Sequence, residues 1–449
     1  MSSFGSRRVV ITGLGVVTSL GHDVHRVFDA LCRGESGIRP IRRFDVTRCP
    51  SKIGGIIEDF DADVVIDDRA GRRILRMADW IQAMGLCATH LAWEDANLRS
   101  GSDLPERLGV YFGSGRGGAE VAESLFGLLL QAADRWRGGS FIPPEEVRGG
   151  ATASVFDVFH GVNPTRYLQH CPSFVAAYAA IRYHARGPTL TNVNLCSAGA
   201  QAVCEAAWVI ARDDADVMIA GGSDSMLNPA ELAAFCALDA VSTSNDDGPA
   251  ASRPFDLRRN GCVVGEGAAA VILEELEHAR QRGARIYAEL LGYGATNDAY
   301  KVTAPPPDGS GAVLAMRRAL RHADLSPEDV DHINAHGTST PLNDKVETGA
   351  IKTVFGQHAY GIPVVSTKSM TGHLIAAAGA LEAAIAVKCL DEKRIPPTRN
   401  LEVPDPHCDL DYVAEGQRQV PNLRVVLSNS FAVGGSNACL VFGHGLNGR

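Results

Sequence analysis

A cysteine at the end of an extended run is the residue of this chain best placed to act as a nucleophile. In Thr191-Asn192-Val193-Asn194-Leu195-Cys196-Ser197-Ala198-Gly199, the run from Pro188 to Asn194 stops abruptly before Cys196. From Ala200 an Ala/Val/Trp-rich stretch then continues to Arg212 without a breaker. That pattern reads as strand, tight elbow and buried helix. A thiol in the first turn of a helix faces unpaired backbone N–H groups and the positive end of the helix dipole, and both favour thiolate over thiol. Taken alone, the stretch equally fits a small core residue at a strand end, because free cysteine is commonly buried. Two further stretches weigh against that reading. Asp331-His332-Ile333-Asn334-Ala335-His336-Gly337-Thr338-Ser339-Thr340 and Val365-Ser366-Thr367-Lys368-Ser369-Met370-Thr371-Gly372-His373 each read as a strand entering a hydroxyl-rich turn that carries a histidine. A thiol with two imidazoles on strand ends is a constellation for nucleophilic catalysis.

Alternating strands and helices must position these groups. Strand patterns cover Val9 to Thr12, Leu108 to Phe112, Thr189 to Val193, Val217 to Ala220, Ala268 to Leu273, Tyr287 to Leu291, His332 to Ala335, Val364 to Thr367 and Val425 to Ser428. Helical patterns cover Asp23 to Arg33, Ala312 to Ala323, Leu342 to Val354 and Ala376 to Leu390. The alternation predicts an α/β fold with parallel sheets and crossover helices. The helix from Ala376 is apolar nearly all round, which places it between layers. Gly13-Leu14-Gly15 after the first strand lacks the third glycine and the acidic ribose ligand of a dinucleotide site, so it reads as a tight turn. No internal sequence repeat stands out. The stretch from Glu120 to Pro172 fits the pattern least: Ser124 to Trp136 is amphipathic, and Arg137 to Gly150 is rich in Gly, Pro and charge.

The 449 residues, 45% hydrophobic and 21% charged, suffice for a large core and exclude wholesale disorder. A net charge of −9 argues against whole-molecule attraction to nucleic acid or an anionic membrane. The eleven cysteines are scattered without Cys-x-x-Cys pairs, the usage of a reducing compartment. The N-terminus lacks a signal-peptide apolar region, and no stretch approaches the roughly 20 apolar residues of a membrane span. The expected location is cytoplasmic.

With the closing Asn429-Ser430-Phe431-Ala432-Val433-Gly434-Gly435-Ser436-Asn437, the chain resembles the β-ketoacyl-acyl-carrier-protein synthases, the condensing enzymes of fatty-acid and polyketide synthesis. It looks most like their type II elongating branch, a specialised-pathway ketosynthase included. The similarity begins at Arg8-Val9-Val10-Ile11-Thr12-Gly13-Leu14-Gly15, and Cys, His-Gly-Thr-Ser-Thr, Lys-Ser-x-x-Gly-His and the Gly-Gly loop follow in the family's order.

The resemblance implies a thiolase-like, duplicated α/β fold of five layers, α-β-α-β-α. Residues 1–275 would form the half with the nucleophile and an insertion near 120–172, and residues 276–449 the half with both histidines. It further implies decarboxylative Claisen condensation of an acyl thioester with malonyl on an acyl carrier protein. Cys196 would take the acyl group, while neutral His336 and His373 stabilise the enolate left when carbon dioxide departs. Lys368 would support them, and Glu347 would arrange the site. The backbone N–H groups of Cys196 and Val433 would form the oxyanion hole. Thr338 and Thr340 would bind the phosphopantetheine arm, and gating loops would carry Asp298, Thr303, Phe431, Val433 and Gly434. The family implies no metal and no cofactor of the chain's own, the phosphopantetheine being supplied by the carrier. It also implies a homodimer, or a heterodimer with a paralogue. Arg69, Arg72, Arg73 and Arg76 stand on one helical stripe. Such a stripe is commonly just a solvated face, and the resemblance favours docking of the acidic carrier.

Three positions depart from the family. Arg116 stands where an apolar residue usually meets the acyl chain, so either the acyl pocket is polar and short or the guanidinium points elsewhere. Val433 replaces a gating phenylalanine while keeping the backbone donor. Asp239 takes a place commonly held by a carrier-docking arginine. Two other readings of the same fold are a non-catalytic, chain-length-factor-like partner and a non-decarboxylating acyltransferase. Retention of Cys196 argues against the first, and retention of both histidines against the second.

Overall fold

A computed structural model describes residues 7–99, 105–115 and 169–444. Arg116 and residues 120–168 of the expected insertion lie outside the described residues. Among the described residues ten strands build one mixed sheet: β1 Val9–Val17, β2 Leu108–Ser114, β3 Thr189–Asn192, β4 Val217–Ser225, β5 Glu266–Glu275, β6 Ala288–Asn297, β7 His332–Asn334, β8 Val364–Val365, β9 Val425–Phe431 and β10 Ser436–Gly443. Their order is β8-β7-β9-β10-β6-β1-β5-β4-β2-β3. Split at the centre, it is one pattern used twice, since β3-β2-β4-β5-β1 becomes β8-β7-β9-β10-β6 when every strand is moved on by five. The pairing senses repeat as well. β2 runs parallel to β3 and β4, and β7 parallel to β8 and β9. The joins β4–β5, β5–β1, β9–β10 and β10–β6 are antiparallel. The sets meet at Val10 opposite Glu289 and Ile11 opposite Ala288.

Alternation of strand and helix predicts parallel sheets, and the antiparallel joins correct that expectation. Between β9 and β10 the cause is plain: four residues connect them, with Gly434 and Gly435 at φ 93° and 78°. So short a link can join only antiparallel neighbours.

Six helices matter for the site: α1 Arg69–Leu75, α2 Trp80–Asp95, α3 Ala198–Ala211, α4 Ser310–Ala323, α5 Pro341–Phe355 and α6 Ala378–Glu392. α3 and α6 pack on each other between the two strand sets. α2 covers the outer face of the first set, while α4 covers the second with α5 beside it. The result is the five-layered, thiolase-like α/β fold. Burial of every residue from Ala378 to Leu390 explains why that helix has no polar face.

Gly13 and Gly15 do not form a turn. Both lie inside β1, which continues to Val17. A Cβ at Gly15 would stand 2.0 Å from the Ala88 carbonyl oxygen of α2, so glycine is what lets that helix lie on the strand. The second half repeats the device, a Cβ at Gly294 of β6 standing 2.0 Å from the Ala315 oxygen of α4. No helix among the described residues is long and apolar enough to cross a membrane.

Candidate active site

Cys196 lies in a short 3₁₀ turn, Leu195–Ser197, between β3 and α3. Leu195 adopts φ 46°, a strained left-handed conformation that makes the elbow sharp. The thiol is buried, and that burial pushes it up to about 12 against the pull of Lys368 and of two backbone donors. Helix-end placement therefore does not by itself yield a thiolate here. In the enclosed site the desolvation cost exceeds the stabilisation expected from the sequence, and the sulfur needs a base. The imidazole placed to act as one is His373, its Nε2 standing 3.1 Å from Sγ. The two backbone groups that favour its charged form are the N–H of Val433 and that of Cys196 itself.

His336 follows β7. Its ring lies 5.3 Å from that of His373, nearly perpendicular, and 5.7 Å from that of Phe431. Burial and the nearby Lys368 ammonium hold both imidazoles well below the ordinary histidine range, so both are neutral. Glu347, on α5, clamps the backbone on which His336 sits: its carboxylate accepts from the His336 and Gly337 N–H groups, each at 2.8 Å. Asn429 of β9 donates to the same carboxylate at 3.1 Å. The His373 backbone is held in turn by Val263 and Gly265. Lys368 is buried against Glu382 of α6, its ammonium in close contact with that carboxylate. Burial pushes the Glu382 carboxyl up, to about 7, and Lys368 opposes the rise.

A cavity of about 400 Å³ opens onto these groups. Cys196, His336 and His373 lie at it, as do Thr338, Thr340, Asp298, Thr303, Phe431, Val433 and Asp239. The hydroxyls of Thr338 and Thr340 are 2.9 Å apart. The two loops named as gates are latched together: Gly434 N–H donates to the Val302 carbonyl at 2.7 Å, and Asp298 N–H to that of Gly435 at 2.8 Å. Asn437 holds the Asp298 carboxylate from the strand behind, at 2.7 Å. Arg69, Arg72, Arg73 and Arg76 are exposed on and just after α1, outside the cavity lining. Asp68 caps that helix and is ion-paired to Arg182 at 2.7 Å.

One ligand atom each of Cys196, His336 and His373 falls within 4.8 Å of the others, a spacing a soft cation could use. Histidines that hold a metal ordinarily donate their second N–H to an acceptor. Here the Nδ1 atoms of His336 and His373 have no hydrogen-bond partner among the described residues. The trio therefore suits acyl chemistry better than metal binding.

Sequence reasoning missed Glu382 and Asn429. Glu382 could have been found, since a charge inside the otherwise apolar run from Ala376 to Val387 must meet a partner. Asn429 sits within the closing motif, and nothing in its spacing singles it out.

Comparison with known proteins gives a consistent picture. The family profile described as Beta-ketoacyl synthase, N-terminal domain, matches residues 6–279, and that described as Beta-ketoacyl synthase, C-terminal domain, matches residues 287–402. The 3-oxoacyl-[acyl-carrier-protein] synthase 2 of Coxiella burnetii is 42% identical over 435 residues, 97% of this chain and 98% of the relative. Its namesake from Synechocystis sp. is 41% identical over 446 residues, 98% and 99% of the two chains. Among solved structures, a β-ketoacyl synthase from Burkholderia phymatum has a TM-score of 0.85 at 32% identity, covering 98% of this chain and 100% of that one. A ketosynthase solved with its type II PKS acyl-carrier protein and bound to the hexaketide has a TM-score of 0.80 at 34% identity, covering 98% and 99%.

Proposed function

Because the chain belongs to the β-ketoacyl synthase family, we propose that it condenses an acyl thioester with a malonyl thioester, both delivered on an acyl carrier protein. The observation that carries this reading is the 3.1 Å approach of His373 Nε2 to Cys196 Sγ beside two backbone N–H groups. As sulfur attacks the acyl carbonyl, His373 takes the thiol proton and the two N–H groups hold the developing oxyanion. Collapse expels the carrier thiolate, which recovers that proton. In the second half-reaction the malonyl C–CO₂ bond breaks, and its electron pair becomes an enolate. His336 and His373, neutral again, donate N–H bonds to the enolate oxygen. The carbanion attacks the acyl-Cys196 carbonyl and Cys196 leaves as thiolate, to be protonated afterwards. The products are carbon dioxide and a 3-oxoacyl-carrier.

The carrier as partner is supported by the ketosynthase structure solved with its acyl-carrier protein and by the exposed arginines of α1. A dimer is supported by the edge of β3, unpaired among the described residues, where Leu190 is 47% exposed and the neighbouring Val193 50%. An uncovered strand carrying apolar side chains is a template for a second strand, from a copy of this chain or from a paralogue. A reducing, cytoplasmic setting is supported by eleven free cysteines.

Incubation with a panel of acyl-carriers and malonyl-carrier, read by intact mass of both proteins, tests the reaction. Acylated Cys196 followed by a 3-oxoacyl-carrier is expected. Loading without decarboxylation would replace this reading with a plain acyltransferase, and no loading would replace it with a non-catalytic partner. Sedimentation at several concentrations tests the dimer, a monomer throughout being the contrary result.

A further inference from the structure

The cavity wall that carries Thr338 and Thr340 is bent at the residue between them. Ser339 has φ 68°, a left-handed conformation that side-chain-bearing residues rarely adopt, and it persists where surrounding bonds over-determine it. The bonds here are explicit. Ser339 N–H donates to the Asp344 carboxylate at 3.2 Å, its hydroxyl accepts from Arg253 N–H at 3.0 Å, and its carbonyl accepts from Gly261 N–H at 3.1 Å.

One side chain fastens the next two residues. Arg259, with its side chain 4% exposed, donates from Nε to the Thr340 carbonyl and from Nη2 to the Pro341 carbonyl, both at 3.0 Å. Its Nη1 bonds the Asp405 carboxylate at 2.6 Å and the Asp256 carbonyl at 2.9 Å, and Asp344 lies 3.7 Å from Nε. Arg259 is not among the cavity-lining residues. Its planar fork matches two successive carbonyls, which a point charge on a flexible stem cannot do.

The fastening bears on what the wall can recognise. The Thr340 hydroxyl accepts from Asn343 N–H at 3.3 Å and also shares a proton with Thr338. Whichever threonine donates to the other, one O–H remains to donate into the cavity, and the hydroxyl oxygens still offer lone pairs. That is the complement of a secondary amide, which brings a carbonyl acceptor and an N–H donor.

We propose that Arg259 is a positioning residue for the amide-bearing arm on which the carrier delivers its thioester, acting by holding Thr340 and Pro341 so that the paired hydroxyls are pre-set. The proposal rests on the ketosynthase reading. Its test is Arg259→Lys, assayed with malonyl-carrier and with the ethyl thioester of malonate, which has no amides. The KM for malonyl-carrier should rise roughly tenfold while kcat falls far less, so that the preference for carrier over amide-free thioester drops by a similar factor. An unchanged preference, or equal losses on both substrates, would overturn the role. If Arg259→Lys does not fold, Asp405→Asn keeps the guanidinium and removes its carboxylate, and the same preference decides: a fall supports the role, and parity with the parent overturns it. A parent enzyme that never condenses sinks the ketosynthase reading, whereas a parent that condenses beside an indifferent Arg259→Lys sinks the positioning role alone.

Discussion

The elbow at Cys196 has a twin. After β3 the chain turns at Leu195, φ 46°, and enters the central helix α3 through a 3₁₀ turn; after β8 it turns at Ile375, φ 47°, and enters the central helix α6 in the same way. Residue by residue, Cys196 falls on Ala376 and Val193 on His373. The Cys196 N–H favours the charged form of its own sulfur, whereas the Ala376 N–H is taken up by the Asp224 carboxylate at 3.0 Å. The sheet edges beside the elbows differ too. Among the described residues β3 pairs on one side only, while β8 is buried and its Val364 N–H is bonded to Asp411 at 2.7 Å. A duplicated backbone thus supplies two sharp turns, and only the residue chosen at the apex and the group left near it make one of them chemical.

The largest expected effect comes from making the first elbow like the second. Cys196→Ala places at the apex the residue that Ala376 already shows the geometry accepts. Acyl transfer should fall on the order of 10⁴-fold or more, with thermal unfolding left near that of the parent. Peptide mapping after incubation with acyl-carrier checks the first claim and calorimetry the second. Acyl label retained on another cysteine would break the assignment of function to this elbow.

Next in size is the division of labour between the two histidines. His373 touches the sulfur, whereas the His336 backbone is fixed by Glu347, whose carboxylate Asn429 holds in turn. His336→Ala should lower malonyl decarboxylation and condensation by roughly 10²–10³, the cost of deleting one oxyanion-type donor, and leave Cys196 loading largely intact. Rapid-quench loading beside carbon dioxide release separates the steps. Equal losses in both would mean that the histidines act as one unit.

Lys368 and Glu382 give a third comparison, within the second half. Removing one partner of a buried ion pair leaves an uncompensated charge, so Glu382→Ala should cost about 3–5 kcal/mol in denaturant unfolding. Replacing the pair together, Lys368→Met with Glu382→Leu, should recover most of that stability but not activity. Recovery of both would reduce Lys368 to a structural role.

Strand and helix periodicity made much of this architecture legible. Nine of the ten sheet strands fall on stretches whose patterning marks them, and Cys196, His336 and His373 converge as their motifs imply. What was illegible depended on the third dimension. β10, Ser436–Gly443, is buried on both faces apart from its first residue, so it lacks the alternation that betrays a strand. α2 has ten buried residues spread around its circumference and correspondingly little amphipathic signal. The Cys196 thiol was misread because a helix-end argument carries no information about burial. Gly13 and Gly15 were misread as a turn because close approach of a helix and a turn both call for glycine.

Those glycines supply the smallest and sharpest test of the duplication. At Gly15 and at Gly294 an added Cβ would meet a helix carbonyl oxygen at 2.0 Å, and in both cases the obstacle is backbone, which cannot swing aside as a side chain can. Gly15→Ala must push α2 off the first strand set, and Gly294→Ala must push α4 off the second. Each should cost about 1–3 kcal/mol, as overpacking does, and the two losses should agree more closely with each other than with that of any other glycine replacement. Activity should then tell the halves apart. β6 ends at Asn297, whose side-chain amide donates to the Gly434 carbonyl at 3.2 Å, and Asp298 follows it in the latch over the cavity. Displacing β6 therefore disturbs these latched loops at the cavity, so Gly294→Ala should lose turnover that Gly15→Ala keeps at the same residual stability. Denaturant melts and steady-state rates on the two variants decide it. Matched stability losses with matched turnover would show that the latched loops do not feel β6, and unequal stability losses would show that the two halves are alike in topology but not in packing.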